Sequence, residues 1–122
     1  MIIWILYCVL DGVDDGYYYY FKDPRKAGKV NEHTFKLAIR VLFGLAISTN
    51  PVVLASFALM QPFLHNNAYY NTRHLLDGSY ELGLFNQSTT STAKLTKLMN
   101  PIVRIILFVG GISLYICKIK FF

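Results

Sequence analysis

The chain has 122 residues, 54% of them hydrophobic, 16% aromatic and only 16% charged, with a formal net charge of +5. Soluble domains usually carry about 25% charged residues, so this composition points to lipid or a partner protein as much of the solvent. Lys and Arg flank apolar runs instead of forming a stripe among stacking aromatics, which argues against nucleic-acid binding. Cys8 and Cys117 are isolated, so the spacing supports neither a zinc or iron–sulfur site nor a disulfide framework.

Residues 1–10 (Met-Ile-Ile-Trp-Ile-Leu-Tyr-Cys-Val-Leu) form an apolar stretch too short to cross a bilayer, and predict a short terminal helix. They lack the basic flank and small-residue cleavage site of a signal peptide. Asp11-Gly12 and Asp15-Gly16 punctuate the stretch. An aromatic and basic segment over 11–33 follows, with five consecutive rings from Tyr17 to Phe21 beside Lys22, Arg25, Lys26 and Lys29. It reads either as an interfacial belt at headgroup depth or as a surface packed on a neighbouring subunit.

Asn31-Glu32-His33-Thr34 predicts a helix start, and an apolar run from Phe35 to Leu64 predicts the main span, about 34–65 within a 34–72 segment. Between Arg40 and Arg73, 32 residues carry no Asp, Glu, Lys or Arg. Thirty helical residues reach about 45 Å, more than a hydrocarbon core of about 30 Å, so such a span must tilt, kink or break. Pro51 and Pro62 each remove a backbone donor. Ser48, Thr49, Asn50 and Gln61 are placed to satisfy the groups so freed, and the expected irregularity is a kink near Asn50-Pro51, with a break into two half-helices as the alternative. A polar loop over 73–98 holds Asn86-Gln87-Ser88-Thr89-Thr90-Ser91-Thr92 and a possible amphipathic piece over 80–85. Asn100-Pro101 then caps a second span over about 99–117, with Lys118 and Lys120 at its exit. The fold expectation is therefore all-α: one membrane domain of two long spans plus a short apolar N-terminal helix.

Chemistry concentrates at the end of the uncharged run, where His65 is followed by Arg73, His74 and Asp77. Ionisable groups at membrane depth are costly and are functional suspects by default. Residues nine apart point to opposite helical faces, so His65 and His74 do not form a bis-His site. Arg73 and Asp77 are spaced for an i,i+4 ion pair, the structural alternative for this cluster. No Ser/His/Asp set or carboxylate pair indicates an independent active site.

The pattern Phe57-Ala58-Leu59-x-x-Pro62, followed by Arg73-His74-Leu75-Leu76-Asp77-Gly78, resembles the second transmembrane helix of the cytochrome b large subunit of succinate dehydrogenase, a membrane anchor of respiratory complex II. The likeness covers roughly residues 55 to 117. It implies an anchor subunit of the mitochondrial inner membrane that docks flavoprotein and iron–sulfur subunits, pairs with a second anchor and with lipid, and helps form a ubiquinone pocket. Arg73, His74 and Asp77 match the family's motif, and Arg40-Val-Leu-Phe-Gly44 faintly echoes its quinone motif. The family's haem-ligand position falls on Asn66 or Asn67, so the resemblance implies either no haem b or one ligated by the nearby His65 with a partner's histidine. The alternative expectation is a small accessory subunit of another respiratory complex with a packing role. A free-standing channel or carrier is opposed by the absence of repeats and of mid-span charges.

Overall fold

The computed structural model describes residues 1–21, 32–78, 83 and 98–121, and among these every regular element is helical. The basic residues from Lys22 to Lys29, the piece expected over 80–85 apart from Gly83, and the polar run from Asn86 to Thr92 lie outside the described residues. Among the described residues the helices are, in order, α1 (Ile2–Phe21), α2 (Glu32–Ile47), α3 (Pro51–Leu76) and α4 (Pro101–Phe121). The all-α expectation holds.

The N-terminal helix does not stop at residue 10. It continues through Asp11-Gly12 and Asp15-Gly16 to Phe21, because the two glycines serve contact with α3 instead of a turn. A Cβ at Gly12 would collide with the His65 carbonyl oxygen and lie 2.8 Å from the Ala68 Cβ, and one at Gly16 would lie 2.6 Å from the Thr72 Cβ. A glycine inside a helix costs about 1 kcal/mol relative to alanine. Close approach of the helix backbones offsets that cost, as small residues spaced four apart allow.

The expected main span over 34–65 is two helices. Ser48, Thr49 and Asn50 leave the helical path, after the Ser48 N–H has donated to the Gly44 carbonyl. Asn50 then caps α3: its Oδ1 accepts from the Val52 and Val53 N–H groups at 3.0 and 3.4 Å. Pro51, at the first helical position, has no N–H to leave unsatisfied. The same device starts α4, where Asn100 Oδ1 accepts from the Val103 N–H at 2.9 Å ahead of Pro101.

This break corrects the expectation of two long spans. With 16 residues, α2 is about 24 Å long, short of a hydrocarbon core of about 30 Å. α3 has 26 residues, enough in length, but it carries Gln61, His65, Asn66, Asn67, Asn71, Arg73 and His74. α1 carries three aspartates. Among the described residues, α4 alone is long and apolar enough to cross a membrane, by length and composition.

α3 is the central element, with α1 on one side and α4 antiparallel on another. The α3–α4 seam runs from Phe57 against Tyr115 to Phe63 against Phe108, with ring centroids 6.3 and 4.5 Å apart. Between them Gly111 lies so close to Met60 that an added Cβ would sit 2.7 Å from its Cγ. Trp4, Cys8, Phe57 and Met60 form the buried core. The Trp4 indole stacks on Phe57 at 5.0 Å and donates its N–H to the Phe57 carbonyl at 3.0 Å. α2 has few close backbone contacts with the other helices. Side chains join it to α1, among them Phe43, stacked on Tyr7 at 4.1 Å.

Candidate functional site

One turn beyond the core, three helices bring five ionisable side chains together. Asp11 and Asp15 are four residues apart on α1, Lys36 and Arg40 four apart on α2, and His65 comes from α3. Each i,i+4 pair presents its two groups on one helical face. The contact of Gly12 and Gly16 with α3 sets how near the aspartates come to His65. Arg40 donates from both Nε and Nη2 to Asp11 Oδ2, each at 2.8 Å. Lys36 pairs with Asp15 and lies 3.8 Å from Asp14. His65 Nε2 is 2.8 Å from Asp15 Oδ2, 3.6 Å from Asp11 Oδ2 and 3.1 Å from Arg40 Nη2, while its Nδ1 is 3.2 Å from Asn66 Oδ1.

The side chains of Asp15, Asp11, His65 and Arg40 are all mostly buried, whereas that of Asp14 is 79% exposed. The cluster is therefore a low-dielectric, nearly charge-compensated network with one edge in contact with the exterior. Asp11, Asp15 and His65 offer ligand atoms within 4.8 Å of one another, a spacing that a metal ion could bridge. Arg40 and Lys36 already stand against both carboxylates, so the cation positions are filled by side chains. Both ring nitrogens of His65 are engaged, so iron ligation there would break one of these contacts.

Next to the cluster, α1, α2 and α3 enclose a cleft of about 260 Å³. Trp4, Leu37, Val41, Leu45, Leu54 and Phe57 form its apolar walls, and Arg40 and Gln61 supply its polar groups. Leu37, Val41 and Leu45 are themselves substantially exposed, so the cleft opens along the outer face of α2. Such a site suits a small, largely apolar ligand that carries a polar group for Arg40 or Gln61.

Of the residues singled out in the sequence, the structure brings Arg40 and His65 together. Arg73, His74 and Asp77 sit elsewhere, half-buried at the C-terminal end of α3, where Asp77 caps the helix by donating its N–H to the Arg73 carbonyl at 2.7 Å. The two basic side chains in that last turn suit the negative end of the helix dipole. Arg73 is 12 residues beyond Gln61, about 18 Å along the axis, so one small ligand does not touch both. Asn67, at the family's ligand position, takes Gly83 against its backbone, and the Gly83 N–H donates to Asn71 Oδ1 at 2.7 Å. Asp11, Asp15 and Lys36 were not singled out by sequence reasoning. Their signal was the pair of i,i+4 spacings, legible only once α1 is known to continue past Gly12. Comparison with protein-family models, with curated proteins and with solved structures gave no match.

Proposed function

We propose that the chain is a membrane-anchor subunit of a succinate:quinone oxidoreductase in the mitochondrial inner membrane, docking flavoprotein and iron–sulfur subunits and contributing a quinone-headgroup site. The observation that carries this reading is the apolar cleft with Arg40 and Gln61 at its polar positions, opening along α2 and flanked by a buried ionisable cluster. In that site Arg40, whose Nε and Nη2 are committed to Asp11, keeps Nη1 for a ligand oxygen, and the Gln61 amide offers a second donor. The apolar walls exclude water from the ring, and the exposed Leu37, Val41 and Leu45 provide a path for an isoprenoid tail.

Membrane insertion is supported by α4, of whose most apolar stretch 11% is buried in the bundle. A core helix of a soluble protein would be mostly covered, whereas Ile102, Ile106 and Ile119 stand more than 60% exposed. The proposal includes ubiquinone and omits haem, because the contacts of His65 leave no ring nitrogen for iron. Purification of the tagged chain from its native membrane tests the assignment. Flavin and iron–sulfur subunits with succinate:quinone reductase activity should copurify. Recovery within a different respiratory complex would replace this reading with the accessory-subunit one.

A further inference from the structure

We infer that the cleft selects a ligand that donates a hydrogen bond as well as accepting one, the acceptor in the wall being the Ala58 backbone carbonyl, which Pro62 deprives of its helical donor. The class of ligand is a ring that carries a hydroxyl group. On the quinone reading of the cleft, on which this last step rests, that ligand is the quinol form.

Pro62 lies inside α3, which continues through it from Pro51 to Leu76. In a regular helix the N–H of residue 62 bonds the carbonyl of residue 58, but proline has no N–H, so the Ala58 carbonyl lacks that partner. Where a helix meets lipid, a carbonyl freed in this way needs a polar partner from elsewhere. Leu54, Phe57, Ala58 and Gln61 line the cleft from α3. Their spacing of i, i+3, i+4 and i+7 is that of one helical face. Pro62 is not among the lining residues, so its effect reaches the cleft only through the carbonyl one turn back. Ala58 is exposed and its side chain is a single methyl, too short to cover that oxygen.

Neighbouring donors are committed elsewhere. The Trp4 indole N–H goes to the Phe57 carbonyl at 3.0 Å, one residue earlier. The Ser56 hydroxyl donates to the Val53 carbonyl at 2.7 Å, and Arg40 gives Nε and Nη2 to Asp11. The cleft therefore presents unlike groups: Arg40 Nη1 donates, the Gln61 amide donates or accepts, and the Ala58 carbonyl only accepts.

A quinone ring oxygen set against the Ala58 carbonyl brings two acceptors together with no hydrogen between them. A ring hydroxyl supplies that hydrogen, and its oxygen still accepts from Arg40 or Gln61. Leaving a desolvated acceptor unpaired weakens binding by about tenfold or more, so quinol should bind about tenfold more tightly than the quinone of the same ring. No covalent bond changes in this selection. It raises the midpoint potential of the bound couple by about 30 mV for each tenfold, the conversion for two electrons, and so favours electron arrival.

Pro62→Ala tests the selection without touching the cleft lining. It restores an N–H at position 62, which closes the helical bond on the Ala58 carbonyl, and it replaces a helix breaker with the best helix former, so folding is favoured. Trp4, the single tryptophan, lines the cleft and reports occupancy by quenching. The full chain in lipid nanodiscs is titrated with an alkylphenol and its methyl ether and, anaerobically, with a short-chain ubiquinol and the matching ubiquinone. Wild type should bind the phenol and the quinol about tenfold more tightly than their counterparts. In Pro62→Ala the new amide should be protected from hydrogen exchange, and both preferences should fall to within about twofold while the methyl ether and the quinone bind as before. Equal affinities within each pair in the wild type, or preferences that survive Pro62→Ala, overturn the inference. An unprotected amide at position 62 would show the Ala58 carbonyl held by another partner, which overturns it too. If the phenol pair behaves as expected and neither quinone form binds, the quinone reading fails and the hydroxyl selection stands. If both quinone forms bind equally, the quinone reading stands and the selection fails; absence of all binding removes both.

Discussion

Replacing Gly16 with alanine tests whether the α1–α3 approach builds the charged cluster. The new Cβ would lie 2.6 Å from the Thr72 Cβ and 3.1 Å from the Tyr69 carbonyl oxygen. Carbon atoms settle at about 3.5–4.0 Å, so α1 must retreat by about 1 Å at this point. Such overpacking typically costs about 1–3 kcal/mol, against a helix-propensity gain of about 1 kcal/mol. The same retreat would stretch the neighbouring Asp15–His65 contact from 2.8 Å beyond hydrogen-bonding range. Gly110→Ala is the matched control, because a Cβ there meets nothing within 4 Å; it should keep only the propensity gain. The propensity gain is common to both, so the two variants should differ by the overpacking cost of about 1–3 kcal/mol, a separation on the order of 10 °C in Tm for a chain of this size. The single tryptophan, Trp4, is 4% exposed and stacked on Phe57. Its fluorescence during thermal unfolding in detergent reports the loss of the core directly. Equal Tm shifts for the two variants would refute the close-approach argument.

Gln61→Leu should raise KM for a short-chain quinone at least severalfold while leaving succinate oxidation by a soluble acceptor intact. Arg73→Ala, some three turns away, should leave that KM unchanged at equal complex abundance, and an increase matching that of Gln61→Leu would move the quinone site to the end of α3. Arg40→Ala strands the buried Asp11 carboxylate and should destabilise by about 3–5 kcal/mol, with partial recovery in the Arg40→Ala, Asp11→Asn double variant; unfolding midpoints without recovery would contradict the pairing. A membrane-permeant maleimide should modify Cys117, which is exposed on α4, well before the buried Cys8. Alkaline carbonate should leave the chain in the membrane pellet, and its release would remove the spanning role of α4.

The helical class and the apolar helix α4 were legible because they depend on composition and on Asn-Pro punctuation, which act locally. Asn100 and Pro101 were read as a cap and behave as one. The irregularity near Asn50-Pro51 was legible in place but was expected as a kink, and the geometry of Ser48 and Asn50 makes it a break between helices. The continuation of α1 was not legible. Asp-Gly pairs favour turns locally, and only the face of α3 shows that these glycines are needed for contact. The cluster was missed for the same reason, since it joins residues 50 positions apart in sequence. Arg40 was noticed through a motif likeness and His65 as the nearest histidine to a ligand position. What unites them is their shared contact with Asp11 and Asp15, a property of the packed helices that periodicity along one segment does not encode.

The way α2 is held has a thermodynamic consequence. It forms one wall of the cleft yet is attached mainly by the Tyr7–Phe43 stack and the two ion-paired cations, so its undocking is the cheapest opening of the bundle and should dominate amide exchange along residues 35–47. Occupying the cleft and seating α2 are then a single equilibrium seen from two sides. A molecule bound between α2 and α3 slows that exchange by the same factor by which anything clamping the outer face of α2 tightens binding in the cleft, since the coupling between two sites is reciprocal.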